Sequence, residues 1–319
     1  MIILGVESSC DDTSAAVIDG ASILSNVVAS QNEIHAKYGG IVPELASRSH
    51  IRNITIVIDR ALRDAGVTLD RVDAIAATNG PGLVGSLLVG LCAAKAIALA
   101  RDLPFVGVNH LEGHLLSATI EHRVPFPFVA LLVSGGHTSL YLARDHGDYQ
   151  LLGATRDDAA GEAYDKVAKM LGLGFPGGPA LDRLAAKGER AAIAFPRARL
   201  KKRPRDGDAA RFDFSFSGLK TAVWQYLRDH PVRDDSHAAD IAASFQAAVV
   251  DALIDTSLAA IDSVGAERFV IAGGVSANSE LRAHAQALGA ERGIAAFMPS
   301  PSLCTDNACL LYTSPSPRD

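Results

Sequence analysis

The chain is poor in several features that would fix its class at once. It has four cysteines in 319 residues, Cys10, Cys92, Cys304 and Cys309, with no CxxC pair and no closely spaced framework. That excludes a disulfide-stapled secreted fold and fits reduced thiols in a cytoplasmic protein. Excess positive charge is lacking too: the net charge is −6, so the chain as a whole is no generic polyanion binder. Met1 leads straight into Ile2-Ile3-Leu4 without a basic n-region, so no secretion signal is expected. The one long apolar stretch, Gly82–Ala100, carries Lys95, Ser86 and three glycines. It is expected to be a buried helix rather than a membrane span. No fixed-period repeat is present, and neither G-x-x-x-x-G-K-[ST] nor G-x-G-x-x-G occurs, which removes support from P-loop and dinucleotide-fold readings.

What is present is core-building material, 48% hydrophobic against 21% charged residues, enough for two lobes. Ile2–Val6, Ala15–Ile18 and Ser22–Ser30 read as three successive strands separated by a polar turn and Asp19-Gly20. A helix over about 43–65 shows apolar residues at helical spacing and ends at Gly66. Val72–Ala77 and Phe105–Val108 read as single strands around the Gly82–Arg101 helix. The pattern then restarts with strands at Phe128–Val133, Thr138–Ala143 and Tyr149–Leu152. Helices are expected at about Ala160–Leu171, Pro179–Ala186, Gly218–Arg228 and Ala238–Ile261. The strand Phe269–Ala272, a helix over Asn278–Leu288 and the strand Ala295–Phe297 follow. The prediction is a doubled α/β unit, each half a three-stranded meander followed by alternating helices and strands.

Several segments have chemical potential. Glu7-Ser8-Ser9-Cys10-Asp11-Asp12-Thr13 packs three carboxylates and three hydroxyls into one turn, able to meet a phosphate or a divalent cation, or simply to be a polar turn. Ser134-Gly135-Gly136 and Gly273-Gly274 lie at strand ends, where backbone N–H groups can approach a phosphate. In His110-Leu111-Glu112-Gly113-His114 the two imidazoles share a helical face and can reach one metal. The zinc-peptidase pattern H-E-x-x-H sets its Glu beside the first His. Here Glu112 stands two residues from each His and points off that face, so peptide hydrolysis is not expected. Asp306 offers a third, hard ligand, with Cys304 as a soft competitor. Two His and one carboxylate suit Fe(II) or Zn(II). Arg197, Arg199, Lys201, Lys202, Arg203 and Arg205 crowd nine residues. Spacing alone makes that a solvated loop that can still steer a nucleic acid.

Taken together, GVESSCDDT, GGIVPELASRSH, NGPGLVGSLLVG, NHLEGH, LLVSGGHT, DDAAGEAYDKVAKMLGLGFPGGP, FDFSFSGLKT, GGVSAN and CTDNA resemble the bacterial tRNA N6-adenosine threonylcarbamoyltransferase family, formerly called O-sialoglycoprotein endopeptidases. The resemblance spans residues 5 to 308. It implies a two-lobed actin/Hsp70/sugar-kinase-like α/β fold built from duplicated ribonuclease-H-like units, here lobes 1–126 and 127–308. It implies transfer of the threonylcarbamoyl group from threonylcarbamoyl-AMP to N6 of the adenosine 3′ of the anticodon, in tRNAs reading codons that begin with A. Carried onto this chain, the metal ligands are His110, His114 and Asp306, for one Fe(II) or Zn(II). The substrate contacts are Leu132, Val133, Ser134, Gly135, Gly136, Asp165, Gly178, Asp182 and Asn278. An inactive paralogue and a small P-loop ATPase are the implied partners, with Arg197–Arg205 and Lys220 as tRNA contacts on charge alone. Glu7, Asp11, Asp12 and His137 are all conceivable as the base, and spacing selects none. An actin-fold ATPase or kinase, or a non-catalytic nucleotide-binding paralogue, is the competing reading. Residues 309–319, CLLYTSPSPRD, resemble a translated sequencing adapter and are expected to be a non-native tail outside the fold.

Overall fold

The computed structural model describes residues 1–20, 22–197 and 212–312. It divides into two units, residues 1–123 together with the segment from Pro299, and residues 124–298.

In the first unit, β1 (Ile2–Glu7), β2 (Asp12–Asp19) and β3 (Ser22–Ser30) form an antiparallel meander. A short α1 (Asn32–Ala36) and the long α2 (Pro43–Asp64) follow, then β4 (Ala74–Gly80), α3 (Val84–Arg101), β5 (Phe105–Asn109) and α4 (His110–Glu121). β4 pairs parallel with β1, and β5 parallel with β4, giving the order β3-β2-β1-β4-β5. Central strands buried on both faces read as continuous apolar runs, which is why β1 and β4 were visible in sequence. One face packs Leu4, Val6, Ala15, Val17 and Ile75 against Ile54, Val57 and Ile58 of α2.

The helix α3 departs from the expectation of full burial. Only Ser86, Gly90, Ala94 and Ala98 are buried, a four-residue spacing that lays a narrow strip of small side chains inward. Val84, Leu88 and Leu99 on the opposite face are 74%, 52% and 87% exposed. Length and composition would let this helix cross a membrane, yet its inner strip is committed to the sheet: Ser8 Oγ donates to the Ser86 carbonyl at 2.8 Å and accepts from the Gly90 N–H at 3.1 Å.

The second unit repeats the plan. β6 (Phe128–Val133), β7 (Thr138–Asp145) and β8 (Asp148–Ala154) form the meander. They are followed by α5 (Ala160–Met170), α6 (Gly177–Ala185), α7 (Ser217–Asp229), α8 (Asp235–Val264), β9 (Arg268–Ala272), α9 (Ser279–Arg292) and β10 (Ala295–Phe297). Read from its β8 edge, the order β8-β7-β6-β9-β10 is again third, second, first, fourth, fifth within the unit. Its core centres on Phe214, Phe216, Phe245, Phe269 and Tyr164, all 2% exposed or less.

After β10 the chain returns to the first unit through α10 (Pro301–Cys304). Residues 299–308, counted with the second lobe on sequence, therefore belong to the first. So do Cys309, Leu310 and Leu311, expected to lie outside the fold: each is at most 3% exposed, and Cys309 and Leu311 pack with Ala16, Ile18, Ala76 and Val108 on the second face of the β1–β4 sheet. Burial of each leucine is worth roughly 1.5–3 kcal/mol. Two glycines make the approach feasible. A Cβ on Gly5 would lie 2.8 Å from the Ala308 carbonyl oxygen, and one on Gly113 would lie 3.0 Å from that of Leu310.

Candidate metal centre and the neighbouring turns

Asn109 ends β5 and caps α4, its Oδ1 accepting from the N–H groups of Leu111 (3.0 Å) and Glu112 (3.3 Å). The cap starts the helix at His110, so His110 and His114 fall one turn apart on a shared face. Their rings meet edge-on with centroids 4.7 Å apart, and both are buried, at 9% and 1%. The segment after α10 brings Asp306 to them. Its Oδ1 lies 3.0 Å from His114 Nε2 and 3.7 Å from His110 Nε2, and one ligand atom from each of the three residues lies within 4.8 Å of the others.

The donor set fits a transition-metal dication. Bonds of about 2.1 Å to one ion place neighbouring ligand atoms roughly 3.0–3.4 Å apart; the His114–Asp306 pair lies in that range at 3.0 Å, and the His110–Asp306 pair just beyond it at 3.7 Å. Cys304 does not join it; its thiol donates to the Pro299 and Ser300 carbonyls. Glu112 is absent from the cluster as well.

Behind His110 stands Glu7, fully buried at the end of β1. Its carboxylate accepts from the Ser9 N–H, the Thr78 hydroxyl and His110 Nδ1, the last at 3.3 Å. Ser9 Oγ lies 3.2 Å from the same Nδ1. Burial alone would lower the pKa of His110, but the carboxylates of Asp306 and Glu7 outweigh it and raise it to about 9. For Glu7, burial favours the protonated form, while the hydrogen bond and charge of His110 hold it below its ordinary range.

The neighbouring turn is more acidic than a polar loop needs to be. Burial, then the charges of Asp11, Asp306 and Glu7, push Asp12 up to about 7, against a hydrogen bond from Ser30. Burial likewise raises Asp11. His50 on α2 pins this turn. Fully buried, it bonds the Cys10 carbonyl through Nε2 (3.0 Å) and the Thr13 hydroxyl through Nδ1 (2.8 Å). A histidine among the apolar positions of an amphipathic helix was the available signal.

In the second unit, Leu132 and Val133 are core side chains, leaving only backbone for a ligand. Ser134 closes a tight turn: its N–H donates to the His137 carbonyl, and its Oγ accepts from the His137 N–H. A Cβ on Gly135, Gly136 or Gly178 would meet nothing within 4 Å, so the backbone there is open to approach. Asp165 accepts from the Gly177 N–H at the start of α6. Asp182 and Asn278 meet directly: the Asp182 carboxylate accepts from Asn278 Nδ2 (3.0 Å), Gln246 Nε2 (3.1 Å), and the Ser279 N–H and hydroxyl.

The basic residues are less available than charge alone suggested. Lys220 donates to Asp158 at 2.8 Å beside Lys166, and Arg197 is held by Asp251 and the Phe195 carbonyl. Residues 199–205 lie outside the described residues.

Residues 22–311 match the family model of tRNA N6-adenosine threonylcarbamoyltransferase. The chain is 56% identical over 313 residues to the protein of that name from Geobacter metallireducens, covering 98% of this chain and 90% of the relative. It is 54% identical over 314 residues to that of Syntrophotalea carbinolica, with 98% and 90% covered. Among solved structures, full-length HypF in its phosphate- and nucleotide-bound form superimposes with a TM-score of 0.64 at 14% identity, over 98% of this chain and 54% of that one. The activator of 2-hydroxyisocaproyl-CoA dehydratase from Clostridium difficile with bound ADPNP gives 0.54 at 13% identity, over 98% and 94%. At such identities the likeness is one of fold, the actin/sugar-kinase class with two α/β lobes.

Proposed function

Because the chain belongs to the tRNA N6-adenosine threonylcarbamoyltransferase family, we propose that His110, His114 and Asp306 hold one divalent cation, Fe(II) first and Zn(II) second, for the transfer it performs. The chain is a transferase that modifies tRNA by threonylcarbamoylation of adenosine N6. The kinase or ATPase reading and the non-catalytic reading are not favoured beside relatives of that name.

The observation that carries the metal reading is the convergence of two buried imidazoles and a carboxylate, recruited from α4 and from a segment almost two hundred residues later. When bound, a dication there supplies Lewis acidity towards the carbonyl and carboxylate oxygens of a carbamoyl donor. We take threonylcarbamoyl-AMP as that donor and the adenosine 3′ of the anticodon, in tRNAs reading codons that begin with A, as acceptor. AMP is a good leaving group, whereas adenosine N6 is a weak nucleophile, so orientation carries much of the rate. The open backbone at Gly135, Gly136 and Gly178 suits the phosphate of the adenylate, and Asp165, Asp182 and Asn278 suit its ribose and base edges.

We take the reaction to be cytoplasmic, as a tRNA substrate suggests. The exposed apolar face of α3, with Val84, Leu88 and Leu99, supports a protein partner on the first unit. We assign that role to the inactive paralogue, with a small P-loop ATPase as third member. The test is complementation of a depleted bacterial host by this chain, reading N6-threonylcarbamoyladenosine in tRNA by mass spectrometry. Restoration by the wild type, and its loss with the bound metal in His114→Ala, is the expected result. Full modification by a metal-free His114→Ala protein would refute the metal reading.

A further inference from the structure

We propose that Glu7 is a positioning residue that holds His110 in the one tautomer able to bind a metal; the inference rests on the metal reading above. Glu7 lies fully buried at the end of β1, and an ionised carboxylate only accepts hydrogen bonds. Its Oε1 takes the Ser9 N–H and its Oε2 takes the Thr78 hydroxyl, so His110 Nδ1, also on Oε2, must come as N–H. A neutral imidazole protonated at Nδ1 carries its lone pair at Nε2, and Nε2 is the atom that faces Asp306 and His114. Ser9 Oγ, also near Nδ1, can donate or accept and so decides nothing. His114 differs: its Nδ1 is buried with no hydrogen-bond partner among the described residues, so no described group holds a proton on that side of the ring.

A purely structural Glu7 would tie β1 to β4 through Thr78 and do no more. Glu7→Gln separates the two roles because the amide has the same shape and different polarity. With its oxygen kept on the Ser9 N–H, its NH2 group takes the place of Oε2. The Thr78 hydroxyl turns to accept, and the scaffold survives. His110 Nδ1 now faces a donor, however, and its proton moves to Nε2, where Asp306 accepts it and the ligand lone pair is lost. The flipped amide opposes its NH2 to the Ser9 N–H, two donors with no acceptor. No orientation satisfies all three partners and leaves Nε2 free.

The experiment uses the full chain, stripped of metal and titrated with Zn(II) against a chromophoric chelator. Wild type, Glu7→Gln and His114→Ala are compared, with thermal unfolding in excess chelator as the fold control. Imidazole 15N NMR of the Zn(II)-loaded wild type reads the tautomer of His110. The expected result is Nδ1–H in wild type and Zn(II) affinity about tenfold weaker in Glu7→Gln, the low end of the usual range because Ser9 Oγ still accepts. Wild-type affinity in Glu7→Gln alongside metal loss in His114→Ala would overturn the role of Glu7 and leave the metal site standing. Wild-type affinity in His114→Ala would sink the site itself. If Glu7→Gln does not fold, the wild-type spectrum decides: Nε2–H on His110 refutes the proposal.

Discussion

Asp182 can serve a substrate or hold the start of α9, and replacing it by alanine separates the two. Its carboxylate satisfies Gln246 Nε2, Asn278 Nδ2 and both donors of Ser279, with Gln246 and Asn278 almost wholly buried. In Asp182→Ala, Asn278 keeps Gln246 Oε1 as acceptor at 2.8 Å, whereas the Gln246 amide loses the acceptor found for it. One buried donor left unsatisfied costs about 1–3 kcal/mol. Loss of an anion beside the α9 N-terminus adds about 0.5 kcal/mol. The total, about 1.5–3.5 kcal/mol, corresponds to a fall in Tm of roughly 3–14 °C for a unit of this size. Trp224 is the single tryptophan and lies on α7, so its fluorescence follows the second unit alone and avoids a two-state assumption for the whole chain. Asp182→Asn, which keeps one acceptor oxygen, should fall between alanine and wild type. Melting of Asp182→Ala within 1 °C of wild type (below the roughly 3 °C floor) would refute this packing role, whatever the variant's effect on transfer.

Three further outcomes are expected. Gly5→Ala drives a Cβ into the Ala308 carbonyl. It should destabilise the first unit by about 1–3 kcal/mol and speed amide exchange at 308–311; unchanged exchange there would contradict the packing. Asp12, at about 7 when folded against 3.8 ordinarily, keeps its proton in the folded chain over a range where the unfolded chain has released it. In metal-free protein, stability therefore falls as pH rises between those values. Asp12→Asn should be the more stable protein in urea above about pH 7, and a parallel pH profile for the two would count against this. Lys220→Met should leave the salt dependence of tRNA binding unchanged, because Lys220 is paired with Asp158. A drop in the salt slope of about one would instead place it on a phosphate.

The secondary structure was legible because its signals are local. Both meanders, the long helices and even the short β10 follow from apolar runs and turn residues a few positions apart. The pairing of His110 with His114 was legible for the same reason, since they are one helical turn apart. What stayed hidden depends on distant partners. Glu7 looked like one carboxylate of a polar turn because the groups that define it, Thr78 and His110, are 71 and 103 residues away. Lys220 looked like a free cation because Asp158 is 62 residues away. α3 was misjudged because composition counts apolar residues without saying which face meets the sheet. Ser86, Gly90, Ala94 and Ala98 at four-residue spacing were the better guide.

The clearest lesson lies where the chain was thought to leave its fold. The resemblance of residues 309–319 to a translated sequencing adapter puts the boundary of the fold before Cys309. The first unit contradicts that boundary in its own sequence. A glycine inside a central strand and another inside a helix each weaken their element by roughly 0.5–1 kcal/mol relative to alanine, so such positions point to a backbone that must come close. Gly5 in β1 and Gly113 between the two histidines are such positions, and the carbonyls of Ala308 and Leu310 fill the space they leave. Asn307 accepts from the Cys309 N–H, and Ser14 from the Ala308 N–H, continuing the ordered path that begins at Asp306. The family match also runs to Leu311. Asp306 is thus anchored from both sides, by α10 before it and by the five buried residues 307–311 after it.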